Sequence, residues 1–534
     1  MREIDVSELD NPSLGNIVEE RARRDGDEVL LLFEDQEITC AELDENANRA
    51  ANGLLRLGVQ KGDMVCLCLP NCPEWAYLWV GMAKIGAVLV PIMPGLSGAY
   101  LTHVVNQSDA RTVITHASLL GEFNAVADEL ENVKTFVVDV RGSSAGSAAL
   151  TPDAVPIEQL FNSSASPPGI DVGHPDISHI VYTSGTTGFP KGLVVRHPSL
   201  ERMAADSARW DDDLVSGEVV YTCYPLHASF AGYRQYLTRG IVVSFSREKR
   251  VEMFWDNVRR YNAVAFNYYV DLIPSLLAQP ERENDRDNPA RFCTGIMAPI
   301  APGVVAAFEN RFNVRVIEGY GSVEGRGVTT NRDGKGGSIG KPRPDLEVKI
   351  VDDDGNEVGP YEVGEIIHRR TSGEPITVEY YKMPEQSAAK MRGGWCHSYD
   401  LAYKDDDGYF YFADRKLDVI RKDGKQILGS AIEAVVFQHD SVAECAAFGV
   451  PSGPQEDEIK LCVILEEGKS LEPEALLGFC QERLDPDMVP RYIQFKDSFP
   501  RGSRAKVQKN KLRAEGVTEE TWDSAKAARH GRCV

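Results

Sequence analysis

Residues 181–193, Val-Tyr-Thr-Ser-Gly-Thr-Thr-Gly-Phe-Pro-Lys-Gly-Leu, crowd hydroxyls, glycines and a lysine into one short run. Thr183, Ser184, Thr186 and Thr187 offer hydroxyl donors, Gly185 and Gly188 let the backbone bend so that its N–H groups converge, and Lys191 adds a charge on a flexible stem. That combination suits phosphate. A plain Ser/Thr/Gly surface loop is the competing reading. A nucleoside-triphosphatase loop is disfavoured, because Pro190 precedes Lys191 and Gly192 follows it, leaving no place for a helix that begins with a metal-binding hydroxyl. Ile180, Val181 and Tyr182 on one side and Leu193, Val194 and Val195 on the other read as strands, which puts the loop at a sheet end.

The elements that must hold such a loop are legible around it. Thr39 and Glu42 form a capping-box pattern before the amphipathic run ELDENANRAANGLLRLG, Gly58 closes that helix, and MVCLCL follows as a strand. A second helix, EWAYLWVGMAKIG, and a second strand, AVLVP, repeat the arrangement, as a largely parallel α/β sheet requires. Residues 141–170, rich in Ser, Ala, Pro and Gly, read as a surface loop with a short helical piece. From about residue 345 the chain turns β-rich, with hairpin signals at Asp354-Gly355 and Asp407-Gly408. Beyond residue 414 the runs SAIEAVVFQHD, ECAAFGV, IKLCVILEEG, EPEALLGFCQERL and RYIQFK make a second, smaller α+β unit.

Composition narrows the function classes. The chain has 534 residues and a net charge of -23, which disfavours nucleic acid and anionic membrane surfaces as partners. No apolar run is long enough to span a bilayer and the start MREIDVSELD is acidic, so a cytoplasmic protein is expected. Eleven cysteines lack regular spacing, and Cys66, Cys68 and Cys72 read as small buried thiols on or beside a strand. Against this acidic background, residues 501–513 carry Arg501, Arg504, Lys506, Lys509, Lys511 and Arg513 without an acid, which suggests phosphate contact.

The run from Tyr182 to Gly192, YTSGTTGFPKG, resembles the signature of the adenylate-forming superfamily of acyl-CoA synthetases, luciferases and peptide-synthetase adenylation domains, and the likeness extends over about residues 15–515. It implies an α/β fold: a large multi-layer N-terminal domain of mainly parallel sheets with a β-rich subdomain, residues 1–413, plus a small mobile α+β C-terminal domain, residues 414–534. It implies ATP-dependent activation of a small-molecule carboxylic acid to acyl-AMP, with pyrophosphate release, followed by transfer to CoA; the cofactors are ATP, Mg²⁺ and CoA. Transfer to a carrier-protein phosphopantetheine and a non-catalytic nucleotide-binding homologue are the alternatives, and a homodimer is left open.

The resemblance also assigns residues. The phosphate loop and Lys191 hold the β- and γ-phosphates, while Glu318-Gly319-Tyr320-Gly321 belongs to the ATP site and Glu324 binds Mg²⁺. Tyr320 either stacks on adenine or packs in the core. Val323 stands where the family has a small or hydroxylated residue, which bears on acid choice. Asp400 accepts from the ribose hydroxyls, with Tyr399 beside it in place of a glycine. Asp414 is the interdomain pivot, Arg415 reaches ribose or phosphate, and Gly424 and Lys425 line the pantetheine tunnel. Lys506 is the catalytic lysine; Arg504 and Ala505 replace a Thr-Gly pair, so alignment rather than chemistry separates Lys506 from Lys509. His227, Asn267 and Tyr268, with Val323, are acyl-pocket candidates, and each of the first three has core packing as its alternative.

Overall fold

A computed structural model describes residues 1, 3–5, 8–9, 11–142, 154–183, 189–198, 213–269, 271–296, 300–322, 324, 326–416, 418–423, 425–453, 456–501 and 507–530. They form two compact units, Met1–Glu347 with Arg369–Cys396, and Val348–His368 with His397–Val534.

In the first unit two large sheets are built from β1 Val29–Phe33, β2 Gln36–Thr39, β3 Met64–Cys68, β4 Val88–Pro91, β5 Thr112–His116, β6 Thr135–Asp139, β7 Val155–Pro156, β8 Ile177–Thr183, β9 Lys191–Arg196, β10 Val219–Thr222, β11 Val242–Phe245, β12 Ala263–Asn267, β13 Phe292–Ile296, β14 Arg315–Ser322, β15 Arg326–Asn331 and β16 Lys341–Pro342. The seven-stranded sheet runs β7-β6-β5-β3-β4-β8-β9 and the nine-stranded sheet runs β16-β15-β14-β13-β12-β10-β11-β1-β2. Parallel pairing dominates both. Only the ends are antiparallel: β8 with β9 in one sheet, and β1 with β2, β14 with β15 and β15 with β16 in the other.

Side-chain alternation explains how these sheets are covered. On β3, Val65 and Leu67 enter one core whereas Cys66 and Cys68 enter another, the two-residue period of a strand buried on both faces. The nine-stranded sheet does the same with Val220 against Tyr221 and Ala265 against Phe266. The core common to both sheets takes side chains from α1 Leu14–Asp25, α2 Cys40–Arg56, α3 Pro73–Ile85 and α5 Leu226–Arg239, while α4 Gly98–Gln107 covers the far face of the seven-stranded sheet. Three more helices, α6 Phe254–Arg260, α7 Leu272–Leu277 and α8 Pro302–Phe312, cover the far face of the other. The unit is thus helix, sheet, helix, sheet, helix.

The local signals were sound. In α2, Thr39 Oγ1 accepts from the Glu42 amide at 3.2 Å and Glu42 Oε2 from the Thr39 amide at 2.9 Å, a complete capping box. Gly355 and Gly408 take φ values of +86° and +80° at the two expected turns. The acids beside them serve those turns: Asp352 accepts from the amides of Asp354 and Asn356, and Asp405 from that of Tyr409. The segment 141–170 differs from expectation in one respect: besides its short helix Glu158–Phe161, it supplies β7, which pairs parallel with β6. The cysteines behave as buried thiols. Burial raises Cys66 and Cys68 to about 12, Cys40 to about 11 and Cys223 to about 12. All ten described cysteines are free and buried.

The second unit has a four-stranded sheet in which Val442–Gly453 pairs antiparallel with Glu456–Leu465, which pairs parallel with Tyr492–Phe495, which pairs antiparallel with Trp522–Asp523. Cys445, Ala447, Ile459, Leu461 and Val463 face one core with side chains of the helices Gly429–Val436 and Pro473–Arg483; Ala446, Phe448 and Cys462 face the other with Leu512. No helix among the described residues is long and apolar enough to cross a membrane.

Candidate active site

The phosphate-loop candidate is flanked by two paired strands. β8 and β9 pair antiparallel with Thr183 opposite Lys191 and Tyr182 opposite Gly192, so the two expected strands close the loop at a sheet edge. Lys191 begins a strand and not a helix, as Pro190 requires. Gly192 is needed there because a Cβ would meet the Ile180 side chain at 2.8 Å and the Tyr182 ring at 3.0 Å. Ser184, Gly185, Thr186, Thr187 and Gly188 lie outside the described residues, as do Val323, Gly424 and Lys506.

Beside this hairpin the structure adds a group that no motif pointed to. Residues 379–381 pair with β9: the Val194 amide donates to the Glu379 carbonyl at 2.8 Å, the Tyr381 amide to the Gly192 carbonyl at 2.7 Å, and Leu193 bridges Tyr380. Ser387 Oγ accepts from the Tyr380 amide at 2.8 Å. Tyr380 is thereby held with its ring 5.5 Å from Lys191 Nζ and its hydroxyl donating to Glu324 Oε1 at 2.9 Å. Lys191 and Glu324, 133 positions apart, meet on one tyrosine. Burial alone would raise the Glu324 carboxyl, but the Lys390 charge, its own backbone amide and the hydroxyls of Tyr380 and Ser322 more than offset that, and its pKa lies below the ordinary glutamate value. Lys390, itself buried, ends the helix Pro384–Lys390. A half-buried carboxylate kept ionised is a fitting oxygen ligand for Mg²⁺, which takes one or two carboxylates and completes its shell with water and phosphate.

The remaining first-unit candidates lie at or beyond the carboxyl ends of the parallel strands β10, β12, β13 and β14, where open α/β sheets bind ligands. Glu318 is buried and its Oε1 accepts from the Ile300 amide at 2.8 Å, bracing the chain beyond β13; burial raises its pKa. Gly319 pairs with Ile296 and Thr330, and Gly321 with Gly327. Tyr320 is 4% exposed, its ring enclosed by protein. Asn267 Nδ2 donates to Thr294 Oγ1 at 3.1 Å and keeps a half-buried position. Tyr268 packs into the second core against Gly295, so of its two expected placements it takes the packed one. His227, half-buried, stands in the first turn of α5, whose opening amide, that of Leu226, donates to Asn71 Oδ1 at 2.7 Å. Nearby, the Tyr224 hydroxyl donates to Asp271 at 3.2 Å and accepts from the Tyr269 amide at 3.0 Å, and Lys249 pairs with Asp271. Sequence reading found neither Lys249 nor Asp271 as partners, because nothing local links them.

In the second unit, Asp400 and Arg415 stand directly opposite each other in the antiparallel hairpin of Trp395–Lys404 and Phe410–Arg415. The carboxylate expected at ribose and the guanidinium expected at ribose or phosphate are cross-strand neighbours. Tyr399 keeps a left-handed backbone, φ +62°, despite its side chain, and the turn is held by its amide donating to buried Glu365 at 3.1 Å and by the Lys416 amide donating to its carbonyl at 2.9 Å. Asp414 caps the helix Gly429–Val436 through the Ser430 amide at 3.1 Å and also accepts from the Arg415 amide at 2.8 Å. Lys425 pairs with Asp487.

Three described residues of the basic run at 501–513 are paired with acids. Arg501 binds Glu444 through two contacts of 2.6 Å, Lys509 binds Glu433 at 2.8 Å, and Arg513 binds Asp418 at 3.3 Å. Burial would drive the Lys509 proton off, yet Glu433 and Asp414 hold its pKa above the ordinary lysine value. Lys509 is therefore committed to a half-buried ion pair, which the sequence spacing alone did not reveal.

Comparison with known proteins bears on this arrangement. The model of the AMP-binding enzyme family matches residues 18–381, and that of the AMP-binding enzyme C-terminal domain matches residues 431–506. Among curated relatives, a crotonobetaine/carnitine–CoA ligase of Citrobacter koseri is 30% identical over 513 residues, covering 91% of this chain and 96% of that protein. Its counterpart in Salmonella typhi is 29% identical over 509 residues with the same coverage. Among solved structures, an anthranilate CoA ligase in complex with anthranoyl-AMP superposes with a TM-score of 0.81 at 22% identity, covering 96% of this chain and 98% of that one. The o-succinylbenzoate CoA synthetase of Bacillus subtilis in complex with ATP and magnesium ion gives 0.79 at 23% identity, covering 93% and 99%.

Proposed function

Since this chain belongs to the AMP-binding enzyme family, we propose that it joins a carboxylic acid to CoA in two half-reactions, forming acyl-AMP and pyrophosphate from the acid and ATP, and then acyl-CoA and AMP. The observation that carries the reading is the contact of Lys191 and Glu324 through Tyr380, which assembles a cation and an ionised carboxylate from three distant segments. Attack of a carboxylate on the α-phosphorus brings negative charges together while pyrophosphate leaves, and fixed cationic donors stabilise that transition state. Lys191 orients the leaving phosphates. Glu324 would hold Mg²⁺, which when bound offsets phosphate charge. Asp400 accepts from the ribose hydroxyls, with Arg415 beside it as donor.

Lys506 is our candidate for the lysine that contacts the reacting carboxylate and α-phosphate; commitment of Lys509 to Glu433 supports that choice. We read residues 1–413 as the adenylation domain and 414–534 as the part that rearranges between half-reactions, with Asp414 at the join and Gly424 and Lys425 at the CoA path. Acyl-pocket residues in this reading are His227, Asn267 and Val323, with Tyr268 supporting them from the core. The acid is a small molecule, and the polar residues around Tyr224, Tyr269 and Asp271 favour one with a polar substituent. A cytoplasmic location belongs to this reading.

The test is pyrophosphate release from ATP and Mg²⁺ over a panel of carboxylic acids, with and without CoA. Acid-dependent release that speeds up with CoA and yields a thioester supports the reading; release without thioester points to another acyl acceptor, and no release with any acid rejects adenylation.

A further inference from the structure

The backbone pairing of β9 with residues 379–381 joins the phosphate hairpin to the segment that reaches Glu324, and a second support lies behind both. Both rest on one helix. On α4, His103 Nε2 lies 2.9 Å from the Pro190 carbonyl, and since that oxygen only accepts, Nε2 carries the proton and donates. The His103 ring also stacks on Phe189, with centroids 4.7 Å apart and planes at 20°, and Tyr100 meets the same Phe189 ring at 5.3 Å. Phe189 is 50% exposed with these two ring contacts in place. One turn further along α4, Gln107 Oε1 accepts from the Tyr182 hydroxyl while its Nε2 donates to the Tyr381 carbonyl at 2.6 Å. Just past the helix, Asp109 accepts from the Tyr381 hydroxyl at 3.0 Å and from Lys382 at 2.7 Å.

We propose that α4 is a gauge for the nucleotide site, with His103 and Gln107 as positioning residues: His103 fixes the Phe189-Pro190 shoulder that precedes Lys191, and Gln107 ties the hairpin stem at Tyr182 to the segment bearing Tyr380. The spacing of Lys191 from Glu324 is then braced from behind by α4 side chains, in addition to the pairing of β9 with residues 379–381. This rests on the reading of Lys191 and Glu324 as the ATP-binding pair. It differs from a general stabilising role because the two contacts of His103 are separable: glutamine keeps a donor without the ring, and phenylalanine keeps the ring without the donor.

The experiment is titration of the full chain with ATP and Mg²⁺, alongside the thermal midpoint and the steady-state KM for ATP and for the acid. His103→Ala and Gln107→Leu are expected to raise the ATP Kd and KM by about tenfold each, the loss of one or two oriented contacts. Acid KM and kcat should stay within about twofold. His103→Gln and His103→Phe should each recover part of the affinity. Thr102→Ala, on the same helix but bonded to Glu129, is the control and should leave ATP binding unchanged. ATP affinity unaltered in His103→Ala, or an equal loss in Thr102→Ala, overturns the proposal while leaving adenylation standing. A wild-type chain that binds no ATP overturns the underlying reading and this proposal with it.

Discussion

At the scale of single residues, the site depends on charges kept in unfavourable surroundings. Glu324 stays ionised although half-buried, because Lys390, Tyr380 and Ser322 attend it. Glu324→Gln keeps the shape and removes the charge, so acid-dependent pyrophosphate release should fall by about a hundredfold with the thermal midpoint little changed, read at saturating ATP and Mg²⁺. His197 shows the opposite case: burial, aided by the charge of Arg234, lowers it from 6.5 to about 4. The unfolded chain then binds the extra proton between those values, so folding stability is lost as pH falls through that window, by at most about 3 kcal/mol. Urea unfolding at pH 7.5 and pH 5 should show a smaller difference in His197→Gln than in the parent. Lys191 and Glu324 were legible as candidates because their motifs name them. Tyr380 and Lys390 were not: a tyrosine in ITVEYYK carries no chemical signature until β9 is seen to pair with it.

At the scale of elements, local rules performed where the stabilising partner lies within a few residues. The Thr39 and Glu42 capping box is one such case, and Thr39→Ala should cost about 1 kcal/mol in chemical denaturation. Long-range pairings escaped. β1, read from sequence as nothing in particular, lies between β11 and β2 in the large sheet, and neither its apolar run nor its length says so. The half-buried pair Lys509 and Glu433 is another hidden contact, since it joins the helix Gly429–Val436 to a residue 76 positions beyond Glu433. Lys509→Met leaves the Glu433 carboxylate half-buried without its cation and should destabilise by about 2 kcal/mol; adding Glu433→Gln should restore much of that, read by the same denaturation curves. The hairpin of residues 395–415 was foreseen as a turn at Asp407-Gly408, and its register brought a result no motif contained, Asp400 opposite Arg415.

At the scale of the molecule, fold class was legible because alternation of helix and strand forces a parallel sheet, whereas the way the β-rich stretch divides was not. Residues 348–368 group with the C-terminal part and 369–396 with the N-terminal part, an interleaving that depends on strand pairing across tens of residues. The cores of the four-stranded sheet, however, come entirely from residues 420–522. A fragment of residues 414–534 should therefore fold alone, with a single cooperative transition by circular dichroism and dispersed amide signals. The buried thiols give the molecule a built-in recorder. Alkylation requires the thiolate, and Cys66, Cys68 and Cys223, held near 12, present almost none while the fold is closed. Cys40, Cys66, Cys68, Cys72, Cys223, Cys293 and Cys396 fall in the first unit, and Cys445, Cys462 and Cys480 in the second. A brief pulse of iodoacetamide during unfolding, read peptide by peptide in a mass spectrometer, would stamp each half of the chain with the moment it opened.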